Sequence, residues 1–509
     1  MIRRLFVEPA PDGETEEERG AVLVIAAAML TVVMGVAAFA VDLGWFYWNG
    51  SQVQEAAEAS ALAAVVHMPR PGHLLWEDTD AYTTAIAIAA ANEMVDGVNA
   101  TVTPEEFSDP DRANQVRVTV STNVRTFFGR VFGWQTQTLT RSAVAEQLPP
   151  LKLGSDEPAF GSGINDLWLS VNGEFALKAN GDPFSTVCGT SQGTSCPGAG
   201  GTPDNPHFRD PAYYYGIEVL VADAGSNLTI TIDDPGHHSP GSIRDRGASS
   251  GFTTVWEIYE PDETPNDFTD NGDLLCSGTF NAGDGSDLVC ADPSATAGIY
   301  VASVYVDNST GFNGFGFSAA TSGPEEPAVF GLSAMSMDMT VAGSTPTFKL
   351  AKVEEYYAGR SVVIRLFDAG DVSSTPANIA NAGNPGYDPY WTATLRIVGD
   401  GAGLNCTIDV YETDGVTYVS TVVPAAGVCD VVTAEWQGLA SATTEIDPKK
   451  YNNQWIDIRI DIPESYTCSV ANDCWWSILY EFDPTKANPR ERTTWTAQIG
   501  GTPIRLINE

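Results

Sequence analysis

The chain has 509 residues, of which 66 are Asp or Glu and 26 are Lys or Arg, for a formal charge of −40. So acidic a chain has little with which to neutralise phosphates, which excludes a nucleic-acid binder and disfavours an anionic lipid surface as a general partner. A hydrophobic fraction of 43% supplies sizeable cores, and the length suits about three domains at ~150 residues each.

The predicted elements begin with a polar head, residues 1–20. Residues 21–41, AVLVIAAAMLTVVMGVAAFAV, carry no charge; as a helix they would rise about 31 Å, one hydrocarbon thickness. Asp42 closes the run, either as an interfacial stop or as a functional intramembrane charge. Trp45, Phe46, Tyr47 and Trp48 then form an aromatic belt, so a transmembrane helix with its interface is expected over 21–48. A secretory signal would have a shorter apolar core and a small-residue cleavage site. Arg3, Arg4 and Arg19 precede the span and the next cation is Arg70, which predicts an N-terminus inside and the bulk of the chain outside.

Residues 49–147 read as a small α+β region. Val53, Ala57, Ala61 and Ala64 recur at helical spacing, and small residues there permit close helix packing. Residues 78–97 predict a second helix, capped by Asp78 or Thr79 and stopped by Gly97. Alternation predicts a strand over 115–124, and TFFGRVFGWQTQTLTRSAVAEQ predicts a turn and a further strand. LPPLKLGSDEP, residues 148–157 or 158, reads as a linker.

Beyond it, Gly, Pro, Ser, Thr and Asp dominate, and short alternating runs such as DLWLSV, YYYGIEVLVA, SVVIRLFD and WIDIRIDI predict all-β structure. An internal repeat is expected. PAFGSGINDLWLSVNG at Pro158 matches PAVFGLSAMSMDMTVAG at Pro327. The motif at Tyr213 matches that at Tyr356, and that at Gly298 matches that at Asn452. The fold expected is therefore an N-terminal transmembrane helix, a small α+β region, and two tandem disulfide-bonded β-sandwiches at 158–322 and 325–509. All eight cysteines fall on the outer side, and the repeat favours pairing of neighbours in sequence: Cys188–Cys196, Cys276–Cys290, Cys406–Cys429 and Cys468–Cys474.

The segment ERGAVLVIAAAMLTVVMGVAAFAVDLGWFYWNGSQVQEAAEASALAA, with Arg19-Gly20, Val41-Asp42-Leu43-Gly44 and Gln54 to Ala64, resembles the N-terminal segment of TadE/TadG-like proteins of Flp (tight-adherence) pilus systems. VRVTVSTNVRTFFGRVFG…TLTRSAVAE resembles how such domains close, so the likeness spans roughly 18–147. Pilins and pseudopilins carry Glu at the fifth position after the Gly cleavage site, and here that position is Ile25, which argues against processing after Gly20. The resemblance implies a single-pass accessory of pilus assembly or surface attachment in a bacterial cytoplasmic membrane, with other Tad/Flp or envelope proteins as partners. The alternative is an anchored adhesin or glycan binder using the sandwich loops.

No local signature of an enzyme is apparent, and no catalytic residue, cofactor or metal ligand is expected. DVSST, residues 371–375, echoes the metal motif of von Willebrand type A domains through Asp371, Ser373 and Thr375, yet no alternating helices follow, so a polar turn is expected. Asp267, Asp270 and Asp273 around Gly272 resemble a calcium loop, but its twelfth position is Gly278, which leaves a solvated acidic turn with a weak calcium contact as the alternative. His237-His238 reads as a surface turn. Trp475 and Trp476 read as strand packing, with sugar stacking as the alternative.

Overall fold

A computed structural model describes residues 16–68, 75–109, 112–161, 167–172, 178, 181–184, 205–209, 211–234, 245–246, 253–262, 264, 266–281, 287–307, 312–340, 346–370, 372–374, 384, 390–400, 403–436, 450–483 and 485–507. Of the sequence expectations, Cys188, Cys196, His237, His238, Asp371 and Thr375 lie outside the described residues.

Helix α1, Glu16–Ala64, is one unbroken rod of 49 residues, about 74 Å long. The span and the expected second segment are thus one helix: no Pro interrupts the run, and Asn49-Gly50-Ser51 is carried through as helix. Its distal end buries Val53, Ala56, Ala57, Ala61 and Ala64. These pack on Ala81, Ala85 and Ala89 of α2, Asp80–Ala91. Alanine on both sides lets the backbones approach closely. Thr79 caps α2, its hydroxyl accepting from the Tyr82 amide at 3.2 Å. The helix stops at Ala91, before the expected Gly97, and Glu93 turns the chain with φ +68°.

The helices lie on a sheet of β1 Ala100–Glu106, β2 Gln115–Arg125 and β3 Thr136–Gln147, completed by β27 Ile504–Ile507 in the order β1-β2-β3-β27. The last strand therefore leaves the region expected to close the second sandwich. It pairs with β3, Ile504 opposite Gln147 and Ile507 opposite Val144, and supplies the partner that the β3 edge would otherwise lack.

The next strands are β4 Lys152–Leu153, β5 Ala159–Phe160, β6 Leu167–Asn172, β7 Tyr213–Val219, β8 Leu228–Asp233, β9 Asp245–Arg246, β10 Thr253–Tyr259, β11 Leu274–Asn281, β12 Leu288–Asp292, β13 Gly298–Asp307 and β14 Phe312–Thr321. The second half holds β15 Ala328–Leu332, β16 Ala334–Thr340, β17 Thr347–Lys352, β18 Ser361–Phe367, β19 Val372–Ser374, β20 Trp391–Val398, β21 Cys406–Tyr411, β22 Tyr418–Val422, β23 Cys429–Trp436, β24 Trp455–Asp461, β25 Trp475–Glu481 and β26 Ala487–Ile499. They form two layers. One runs β11-β10-β13-β7-β15-β4-β17-β25-β20-β23; the other runs β12-β8-β14-β6-β16-β26-β18-β24-β21-β22, with β5 and β9 on β14 and β19 on β26.

Both layers run without a break from the first half into the second, and one hydrophobic core extends from Leu148 to Ala497. At the junction the halves exchange their leading strands. β15 of the second half pairs with β7 of the first, while β4 of the first pairs with β17 of the second. β4 and β15 meet with Leu153 opposite Gly331 and Lys152 opposite Leu332, and in the other layer Leu169 of β6 lies opposite Met337 of β16. Residues 148–157 are consequently no free linker. Leu148, Leu151 and Leu153 are buried because β4 fills the seam between the halves.

The repeat is present in topology, but two of its sequence matches are displaced. A 3₁₀ turn, Val221–Asp223, joins β7 to β8, and Glu355–Tyr357 joins β17 to β18. Ala224-Gly225 thus corresponds to Ala358-Gly359, with φ +80° and +74° at the glycines. Tyr356 and Tyr357 sit in the turn, and β13 corresponds to β25 rather than to β24, since each is the strand beside β7 or β17 in its layer. Cys276 of β11 bonds Cys290 of β12, and Cys406 of β21 bonds Cys429 of β23. Each bridge links one layer to the other at an outer end of the sandwich, not neighbours within a sheet. Cys468–Cys474 closes a loop, and no cysteine among the described residues is free.

Candidate functional site

The distinctive site lies where α1 meets the small sheet. From Val22 to Val41 the large apolar side chains of the helix are exposed, and this helix is long and apolar enough to cross a membrane. Asp42 ends that stretch and is only 2% exposed. Its carboxylate faces the β2–β3 connection. Oδ1 accepts from the Phe127 amide at 2.7 Å, and Oδ2 from Phe128 at 3.2 Å and Gly129 at 2.7 Å. Three successive amides make an anion-binding nest at the start of the 3₁₀ turn Gly129–Phe132. Asp42 is therefore neither a bare interfacial stop nor a membrane-buried charge without partners.

The belt residues complete the contact. Trp45 stacks on Trp48 at 5.1 Å between ring centroids and meets Phe127 edge-on at 5.3 Å. Phe46 packs on Trp134 at 5.3 Å. Gly129 allows a close fit, since a Cβ there would stand 3.2 Å from both Thr126 and Trp134 and push on them. Gly133 follows with φ +87°, a left-handed conformation suited to glycine. The hairpin is thus fastened to the helix at the point where the apolar stretch ends.

Residues 26–145 match the family model of Tad-like Flp pilus-assembly proteins. The Tad-like region comprises the exposed apolar helix, the Asp42 contact, α2 and the first three strands. Solved structures similar to the chain include a secreted protein of Parabacteroides distasonis, 10% identical, covering 70% of this chain and 99% of that one, with a TM-score of 0.13. Another is the N-terminal tandem CBM22 domain of Paenibacillus barcinonensis Xyn10C, 9% identical, covering 56% and 81%, with a TM-score of 0.12. Likenesses at this level carry no argument about fold or ligand. No curated protein matches the chain.

The Tad-like region is fixed to the sandwich by Glu146, buried at the end of β3. Its carboxylate takes the guanidinium of Arg360 and, at 3.1 Å, that of Arg505. The amide of Leu148 donates to Pro503 O at 2.7 Å, and the Tyr357 hydroxyl donates to Pro149 O at 3.0 Å.

A second polar cluster bridges the halves of the sandwich. Lys178 is fully buried; its Nζ donates to Thr413 O at 2.6 Å and lies 2.9 Å from His207 Nδ1. The rings of Phe367 and Trp455 stand within 5.7 Å of the amine. Burial lowers the Lys178 amine to about 7, and burial followed by the neighbouring Lys178 charge lowers His207 to about 4. Nearby, Asp182 receives the Tyr213 hydroxyl at 2.7 Å, and burial raises its carboxyl. No local pattern in the sequence marks this cluster, because its members come from positions 178, 207 and 413.

The remaining candidates resolve as follows. Asp267 accepts from the amide and hydroxyl of Thr269, a self-contained turn, and Asp270, Asp273 and Gly278 do not join it as a ligand cluster among the described residues. Val372–Ser374, which includes Ser373, is a strand paired with β26 and not the expected polar turn, and among the described residues beyond 148 the secondary structure is strand or short 3₁₀ turn, which does not suit a von Willebrand type A domain. Trp475 and Trp476 are both buried, so neither offers a face to a sugar. Glu354 lies close to Cys468 and Cys474, but those sulfurs are spent in a disulfide.

Proposed function

We propose that this chain is a membrane-anchored, extracytoplasmic accessory of Tad-type pilus assembly or surface attachment, with no catalytic role of its own. The observation that carries the proposal is the coincidence of the Tad-like match, residues 26–145, with the apolar helix and the unit fastened to it at Asp42. The exposed apolar length supports anchoring, the Lys/Arg placement supports an N-terminus inside, and the disulfides support an oxidising compartment. The sandwich then stands outside as a rigid body available to envelope partners.

Two experiments test this. Solubilised membranes should yield the protein together with pilus-assembly components, and its isolation free of them would defeat the assignment. Cysteine labelling at positions 10 and 300 should find the first inside and the second outside; the opposite pattern, or a product released from the membrane, would defeat the topology.

A second reading, attachment through the sandwich itself, is favoured by one observation. The outer strand β22 is exposed along its whole length, and Val416, Tyr418, Val419, Val422 and Val423 are exposed around it. Such an edge suits pairing with an extended segment of another protein.

A further inference from the structure

We propose that the β2–β3 tip is a second membrane contact, inserted into the phospholipid leaflet nearest the folded domain, with its arginines among the lipid phosphates. This inference rests on the anchoring proposed above. Five apolar side chains follow closely in sequence at the tip, Phe127, Phe128, Val131, Phe132 and Trp134, and all are exposed, Val131 at 77% and Phe132 at 84%. Such a run is costly in water.

Its position accounts for it. Phe128, Val131 and Phe132 share a groove with Met34, Gly35 and Val41 of the apolar helix. Met34 lies eight residues before Asp42, about 12 Å along the axis. A helix that spans the bilayer therefore carries the tip to hydrocarbon depth. The backbone is prepared for that medium, where an unpaired amide costs several kcal/mol. The amides of Phe127, Phe128 and Gly129 are taken by Asp42, and those of Thr126, Val131, Gly133 and Trp134 by Gln135, Phe128, Arg130 and Gly129 carbonyls.

Charge gives an independent indication. In a chain of net −40, residues 115–145 contain Arg117, Arg125, Arg130 and Arg141 and no acid. Arg125 precedes the apolar run and Arg130 lies within it, and both are exposed, so their long side chains can reach the phosphates from the tip. The global charge that disfavours an anionic surface is thus absent from the part of the chain that would meet one.

The test uses the full-length protein in vesicles of phosphatidylcholine and phosphatidylglycerol. Single added cysteines at Val131, at Ala37 in the helix and at Val416 on the sandwich carry an environment-sensitive fluorophore; some of the lipids carry a nitroxide high on the acyl chain. The proposal expects Val131→Cys and Ala37→Cys to lose most of their emission and Val416→Cys to keep it. Quenching at Ala37 with Val131 unquenched and open to aqueous iodide would overturn the tip contact and leave the anchor standing. Loss of quenching at both positions would overturn the anchor first. Disulfide cross-linking of Val131→Cys between copies, without lipid quenching, would assign the tip to a second copy and overturn the lipid contact.

Discussion

At the residue scale, Asp42 commits its carboxylate to amides 85 to 87 positions away, a partnership that no local pattern in the sequence could announce. Asp42→Ala leaves three amides without their acceptor, and the tip should loosen from the helix. Hydrogen exchange at 127–129 should rise sharply in Asp42→Ala and by less in Asp42→Asn, which retains one acceptor; unchanged protection would disprove the role. Lys178 supports a pH prediction. Its folded value of about 7 lies below the ordinary 10.5, so between those values the unfolded chain binds a proton that the folded chain does not. Stability should rise with pH across that window, and His207 should act in the same sense between about 4 and 6.5. Asp414 and Arg365 act on both groups, Asp182 on the Lys178 amine and Arg209 on His207. Lys178→Met should flatten the alkaline slope of the thermal midpoint and also weaken the acid slope, because the Lys178 charge is part of what holds His207 low.

At the scale of elements, the helices and β2 were legible because their periodicities are long and regular: alanines at 57, 61 and 64 on one side, valines at 116, 118 and 120 on the other. β4 was not, since two residues among prolines and glycines carry no alternation; only the seam between the halves makes Lys152–Leu153 a strand. Tyr356 and Tyr357 invited alignment with Tyr213 and Tyr214, but the 3₁₀ turn that precedes β18 claims them. β27 was invisible as a partner of β3 because pairing over more than 350 residues leaves no trace in composition. Removing residues 503–509 should raise exchange at 144–147 while the sandwich stays folded. Adding Arg360→Ala would leave Glu146 buried without a cation, and denaturant unfolding should then report a further loss of about 3–5 kcal/mol; an unchanged midpoint would refute the bridge.

At the scale of the whole molecule, the class of fold and the number of repeats could be read in advance, but the manner of their joining could not. The first half has open edges at β6 and β7, which β16 and β15 of the second half fill. Residues 148–322, expressed alone in an oxidising compartment, should therefore not persist as a folded monomer; a second copy offers the same edges, so light scattering should find a dimer. A stable monomer would show that the exchanged strands are dispensable.

The return of the chain to the small sheet bears on mechanics. With the chain anchored as proposed, a pull on the sandwich would reach the membrane by two routes, through residues 148–151 and through 500–503, which are bonded to one another at Leu148 and Pro503. Tension is divided between them, and β27 is loaded along its length against β3, so its backbone bonds must shear together rather than unzip in turn. An appendage-bearing surface is a place where loads arise, and this protein would meet them with a doubled tether at its base.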